Sequence, residues 1–207
     1  MNPTLLHYVY DPLCGWCYGA APLLKAAAGV PGLAIELHAG GLWLGARRQP
    51  MGATLRQHVR PHDERIEALT GQHFGERYFN SLLLDTRLTL DSEPPIRAIM
   101  AVTALGGDGL ALLQRIQTSH YRDGLWVGDV AFLAALAAEQ GVEEADFHAA
   151  YAAAPLDEHL AQSQQWLRRL GGHGYPTLGV ERDGVLMPLS PSFGEPDHFL
   201  AQLRVVS

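Results

Sequence analysis

The spacing of apolar side chains changes period along this chain. In Thr4–Tyr10, TLLHYVY, β-branched and aromatic residues crowd a short run that stops at Asp11-Pro12, a turn dipeptide; this predicts a strand. From Cys14 the composition turns to Ala and Leu, CYGAAPLLKAAAG, and closes on Gly29, which predicts a helix with a glycine C-cap. Gly32–Leu42, GLAIELHAGGL, alternates and ends in a glycine pair, the pattern of a second strand. Strand, helix and strand in such short order predict a parallel crossover.

Strand signals return only near the other end of the chain. Tyr175–Ser190 reads as two strands around the turn residues Asp183-Gly184, and EPDHFLAQLRVV, from Glu195 to Val206, reads as a closing helix with Pro196 in its first turn. Everything between these flanks carries the helical period. Segments are expected at Ala53–Arg60, Asp63–Thr70, Gly75–Asp85, Glu93–Gly106, Gly109–Asp123, Asp129–Gln140, Glu143–Ala154 and Leu156–Leu170. Ser92, ahead of Pro94-Pro95, and Asp129 are the clearest N-cap residues. No internal repeat or low-complexity linker interrupts the pattern, and the apolar stripes of this middle region read as core. The chain is thus α/β, with a helical lobe set between the second and third strands.

Length and composition narrow the class. The 207 residues suffice for one good-sized core or a small domain with an inserted lobe, and 47% hydrophobic residues is the share of a soluble globular protein. The net charge is −7, Lys25 is the sole lysine, and the arginines are scattered singly or in pairs such as Arg47-Arg48 and Arg168-Arg169. Without a basic stripe, nucleic acid is not an expected partner. The start, MNPTLLHYVYDP, lacks the charged and apolar regions of a secretory signal. No window approaches the roughly 18 apolar residues of a membrane span; AFLAALAAEQG is too short. A cytoplasmic protein without membrane contact is expected.

In that compartment the chain's two cysteines gain meaning. Both lie in DPLCGWCYGAAP, Asp11–Pro22, with Gly15 and Trp16 between Cys14 and Cys17. A structural disulfide is not expected in a reducing cytoplasm. If Cys14 stands where the first strand passes into the first helix, free N–H groups and the helix dipole favour its thiolate. Cys17, three residues on, can then attack a mixed disulfide formed on Cys14. Two readings compete: half of a zinc site, and two inert buried thiols. There is no second cysteine pair, and His58 and His62 flank Pro61, which is expected to break the helix that would align them. A redox pair is favoured, with no metal ligands and no bound cofactor.

These residues resemble the thioredoxin-fold oxidoreductases, and within them the DsbA family, nearest its cytoplasmic disulfide-isomerase and FrnE-like group. CGWC follows a strand and a turn. Pro22 stands eight residues after Cys14, where such proteins carry a helix-kinking proline. GGHGYPTLGV, Gly171–Val180, is similar to the cis-proline loop that faces the cysteines. The resemblance spans the whole chain. It implies a thioredoxin-like domain of residues 1–45 and 156–207 and an all-helical insert of residues 46–155.

The resemblance also implies roles. Cys14 would attack, Cys17 resolve and Pro176 shape the site, with Leu13, Gly15, Trp16 and Tyr175 contacting substrate. Substrates would be protein or small thiols and disulfides, glutathione among them, and the protein a monomer or homodimer. Two positions depart from the pattern. Gly-Trp replaces the Pro-His dipeptide that helps make DsbA an oxidant. Tyr8 stands where thioredoxins bury an acid, with Asp11 as a nearby alternative. Other readings are a glutathione-dependent isomerase or transferase of the kappa and hydroxychromene carboxylate isomerase type, which typically has Ser in place of Cys14 and no second cysteine, and a non-enzymatic redox or zinc module.

Overall fold

The computed structural model describes residues 4–205; Met1–Pro3, Val206 and Ser207, at the edges of the expected terminal segments, lie outside the described residues. Strand β1, Thr4–Tyr10, spans the segment its apolar density predicts. It lies between β2, Leu33–Ala39, which it pairs in parallel, and β5, Thr177–Arg182, which it pairs antiparallel. Strand β6, Val185–Leu189, closes the sheet in the order β2-β1-β5-β6. The turn between β5 and β6 uses the expected pair, with Asp183 and Gly184 both at positive φ. Having neighbours on both sides, β1 is buried from Leu6 onward.

Alternation along β1 gives its two faces different work. Tyr8 and Tyr10 stack on one face, their rings 5.2 Å apart, and Tyr8 reaches helix α1, Gly15–Gly19. His7 points to the other face, against Trp166 of α9, Leu156–Arg169, with ring centroids 3.8 Å apart. The first helix is shorter than expected. It pauses at Ala20 and resumes as α2, Ala21–Ala28, because Pro22 has no N–H to continue the ladder. The closing helix α10 runs Pro196–Val205 and packs on α2.

The segment between β2 and β5 is helical apart from one two-residue ladder, β3 at Gln49–Pro50 against β4 at Thr89–Leu90. Two expected helices are fused. Helix α3 runs Ala53–Thr70 straight through Pro61. The single lost hydrogen bond does not end a helix whose buried Leu55 and Ile66 hold both halves against the core. His58 and His62 therefore sit one turn apart after all, ring centroids 5.6 Å apart, on the exposed side. Two other expected helices divide. Gly75–Asp85 becomes α4, Glu76–Asn80, and a 3₁₀ turn at Leu82–Leu84. Gly109–Asp123 becomes α6, Gly109–Gln117, and a π turn at Thr118–Arg122. Helices α5 (Glu93–Ala104), α7 (Val130–Ala138) and α8 (Glu144–Ala153) complete the lobe. Asp129 caps α7 as predicted, accepting the Ala131 N–H at 3.0 Å.

The lobe docks onto the cysteine helix. Gly15 and Gly19 lie on the side of α1 that meets α3, and a Cβ at Gly19 would stand 2.7 Å from Ile66 Cγ2. Tyr18 stacks on Tyr121 of the π turn at 5.0 Å and meets Phe74 edge-on at 5.2 Å. Gly75 anchors this aromatic cluster: its N–H donates to the Tyr121 carbonyl at 2.9 Å, and a Cβ there would fall 1.9 Å from the Arg122 carbonyl oxygen. Backbone on both sides leaves no room to relax. Gly75→Ala is therefore expected to lower stability by about 3 kcal/mol, the upper end for overpacking, as read from urea denaturation.

Candidate active site

Cys14 is the N-cap of α1. Its backbone is extended, with φ −102° and ψ 116°, and its carbonyl accepts the N–H groups of Cys17 and Tyr18 at 3.0 and 3.1 Å. Both cysteines are free thiols. Cys14 retains 7% of its surface and Cys17 none, so the two sulfurs differ in access. Burial pushes the Cys17 thiol well above its usual range, and its Sγ accepts the Asp11 N–H at 3.5 Å. Tyr8 lies behind the pair. Its hydroxyl donates to the Cys17 carbonyl at 3.2 Å, and burial keeps it neutral by raising its pKa well above the normal phenol value.

Asp11 binds three parts of the chain together. The carboxylate is fully buried and accepts the Leu13 N–H at 2.8 Å, the Leu42 N–H at 2.6 Å and the Ser92 hydroxyl at 3.0 Å. Burial pushes its pKa up to about 6 against the pull of these donors. Ser92 leaves its expected N-cap bond unmade for this purpose, and its Oγ also accepts the Trp43 N–H at 3.1 Å. Trp43 returns to the cysteine loop by donating its indole Nε1–H to the Leu13 carbonyl at 3.0 Å.

Opposite Cys14 stands the loop before β5. The Tyr175–Pro176 peptide bond is cis, and Cys14 Sγ lies 3.6 Å from the Tyr175 carbonyl oxygen. The Tyr175 hydroxyl donates to the Gly40 carbonyl at 2.8 Å and accepts from Gln164 at 3.2 Å. A Cβ at Gly40 would overlap the Tyr175 ring at 2.1 Å, so a glycine there lets the two loops touch.

Cys14, Cys17, Tyr175 and Pro176 thus converge. Leu13 is buried beneath the site, and Gly15 faces Asp63 and Ile66 of α3. Half-buried Trp16 leans on Phe193, ring centroids 4.9 Å apart, with the Arg65 guanidinium over its ring at 6.0 Å. Sequence reasoning missed Ser92, Trp43, Gly40 and Asp63. Asp63 accepts the Tyr78 hydroxyl at 3.0 Å, and a Cβ on Gly15 would lie 2.6 Å from its Oδ1. Burial drives its pKa up to about 7. An acid within a helix of polar character gives no such signal.

A four-stranded thioredoxin sheet with Cys-x-x-Cys at the first helix, facing a cis-proline loop, defines a thiol–disulfide oxidoreductase. No protein-family model matches the chain, and comparison with curated proteins gives no significant match. Solved structures do match. The cytosolic disulfide reductase DsbM from Pseudomonas aeruginosa is 47% identical over 97% of both chains, with a TM-score of 0.89. The same protein with GSH is 45% identical over 97% of this chain and 98% of that one, at 0.87. A candidate protein disulfide isomerase from Nitrosomonas europaea, 23% identical over 97% and 98% of the two chains, shares the fold at 0.78. The chain belongs to the DsbA family of thioredoxin-fold disulfide oxidoreductases, alongside DsbM.

Asp63 makes stability depend on pH. Its folded pKa of about 7 exceeds the ordinary aspartate value of 3.8, so between these values the folded chain holds a proton that the unfolded chain has lost. Its contribution is present below about pH 4 and fades as pH rises through about 7. Asp63→Asn should leave stability little changed at pH 4 and raise it progressively to pH 8, by about 4 kcal/mol at most, in urea midpoints taken across that range.

Proposed function

We propose that this protein is a cytosolic disulfide reductase whose electrons come from a small thiol of the glutathione type. The observation that carries this reading is the unequal sulfur pair: Cys14 at the edge of the surface beside the Tyr175 carbonyl, Cys17 sealed behind it. The Cys14 thiolate attacks a substrate disulfide, forming a mixed disulfide and releasing one substrate thiolate. The Cys17 thiol gives up its proton and attacks Cys14 Sγ. The second substrate thiol leaves, and the Cys14–Cys17 disulfide remains. Two equivalents of a small thiol then restore the dithiol and depart as their own disulfide.

The thioredoxin-like part, residues 1–45 and 156–207, supplies both cysteines and the Tyr175–Pro176 loop. The insert, residues 46–155, supplies the wall behind α1. Backbone groups of Tyr175 and the apolar face of Trp16 position the substrate, while Gly15 gives α1 its close fit to α3. Asp11 touches Cys17 through its backbone N–H, which donates to the Cys17 Sγ, while the Tyr8 hydroxyl is committed to the Cys17 carbonyl. The reductive direction is supported by the likeness to DsbM and by Gly-Trp in place of the Pro-His dipeptide.

Cys14→Ser should abolish insulin reduction, whereas Cys17→Ala should accumulate a mixed disulfide detectable by mass spectrometry of the acid-quenched reaction. In glutathione buffers the pair should equilibrate near about −270 mV, the thioredoxin range. A value near about −120 mV would reverse the assigned direction while leaving the disulfide chemistry intact.

A further inference from the structure

Strand pairing gathers four side chains that the sequence keeps far apart. In the parallel ladder His7 stands opposite Glu36 and Val9 opposite His38; in the antiparallel ladder Leu5 stands opposite Glu181. Because alternate residues of a strand share a face, His7, Glu36, His38 and Glu181 all lie on the face covered by α9. This is the reverse side of β1 from Tyr8, the residue that touches Cys17.

His7 Nδ1 is 3.1 Å from His38 Nε2 and 3.3 Å from Glu36 Oε2, and the latter two atoms are 3.9 Å apart. A tetrahedral zinc ion with donors at about 2.0–2.1 Å has donor–donor edges of about 3.3 Å. Two edges of the triangle fit such an ion, and the third closes with a small movement of the exposed Glu36 side chain.

The surroundings favour an ion as well. His7 is 1% exposed, and its other nitrogen, Nε2, lacks an aligned hydrogen-bond partner but faces Glu181 Oε2 at 3.4 Å. A carboxylate behind an imidazole holds the proton on the outer nitrogen and frees the inner lone pair for a metal. Trp166 stacks on both imidazoles, at 3.8 and 5.0 Å, and the Arg169 guanidinium covers Trp166 at 4.0 Å, which fixes the ring planes. With no ion, one N–H must lie between His7 Nδ1 and His38 Nε2. An ion displaces it to the outer nitrogen of the same ring, and both imidazoles stay neutral.

We propose that His7 Nδ1, His38 Nε2 and Glu36 Oε2 bind a divalent ion of the zinc class, with Glu181 holding His7 from behind. Two of the three ligands, Glu36 and His38, also line a cavity of about 900 Å³ together with His159 and Ser163, from which a fourth donor could reach the ion. Three protein ligands and one open position form the arrangement in which zinc can take up water or an exogenous donor.

The cysteines would compete for zinc, so the test uses the full chain carrying Cys14→Ser and Cys17→Ser. Zinc is titrated by calorimetry and cobalt by visible absorption. One ion per chain is expected, with tetrahedral cobalt bands and no thiolate charge transfer. Glu36→Gln alters an exposed side chain and should weaken binding at least about 100-fold; Glu181→Gln should weaken it about 10-fold. His38→Ala should match Glu36→Gln. Absence of saturable binding in the cysteine-free chain, or unchanged affinity in Glu36→Gln, overturns the proposal. Neither result bears on the disulfide chemistry.

Discussion

The geometry of the redox pair depends on one buried carboxylate. Asp11 comes directly after the strand that carries the sheet, and removing it from water is costly unless its oxygens are hydrogen-bonded. Three donors meet that demand, and they come from the cysteine loop, the turn after β2 and the start of α5. Each donor lies in a segment that could otherwise move independently. The electrostatic need of one group therefore joins the sheet, the cysteine turn and the insert. The Trp43 indole, bonded to the Leu13 carbonyl, closes the circuit from the far side.

The insert, in turn, gives the residues of CGWC their packing. By the resemblance, Gly15 is expected to contact substrate. In the fold it is a contact surface: α1 presents Gly15 and Gly19 to Asp63, Ile66 and Thr70 of α3. Close approach of two helices is possible only where side chains are absent on one of them. The aromatic cluster of Tyr18, Phe74, Tyr78 and Tyr121 fills the space beside this seam.

Much of this architecture was legible in the sequence. Local signals are strong for β1, for the crossover and for the β5–β6 hairpin, because period and turn chemistry agree there. The cysteine spacing and the Tyr175-Pro176 pair marked the two halves of the site. Boundaries within the insert were less legible, since Pro61 is tolerated and the π turn at Thr118–Arg122 has no local signature. The supporting groups were hidden for another reason. Ser92 looks like a helix cap, Gly40 like a turn, and Asp63 like a solvated acid; each acquires its role only from partners distant in sequence. His7 and His38 are the extreme case, 31 positions apart and joined by the register of β1 and β2.

The contact between Cys14 Sγ and the Tyr175 carbonyl spans 161 positions. A ribosome making this chain releases the cysteine pair long before the loop that will face it. At roughly 5–20 residues per second, the thiols wait on the order of ten seconds for that partner. During that interval β1 and β2 can pair, but β5 is not yet present to cover the other edge of β1. The nascent chain thus offers an exposed strand edge next to two reactive sulfurs, and both are closed off together when the last strands dock.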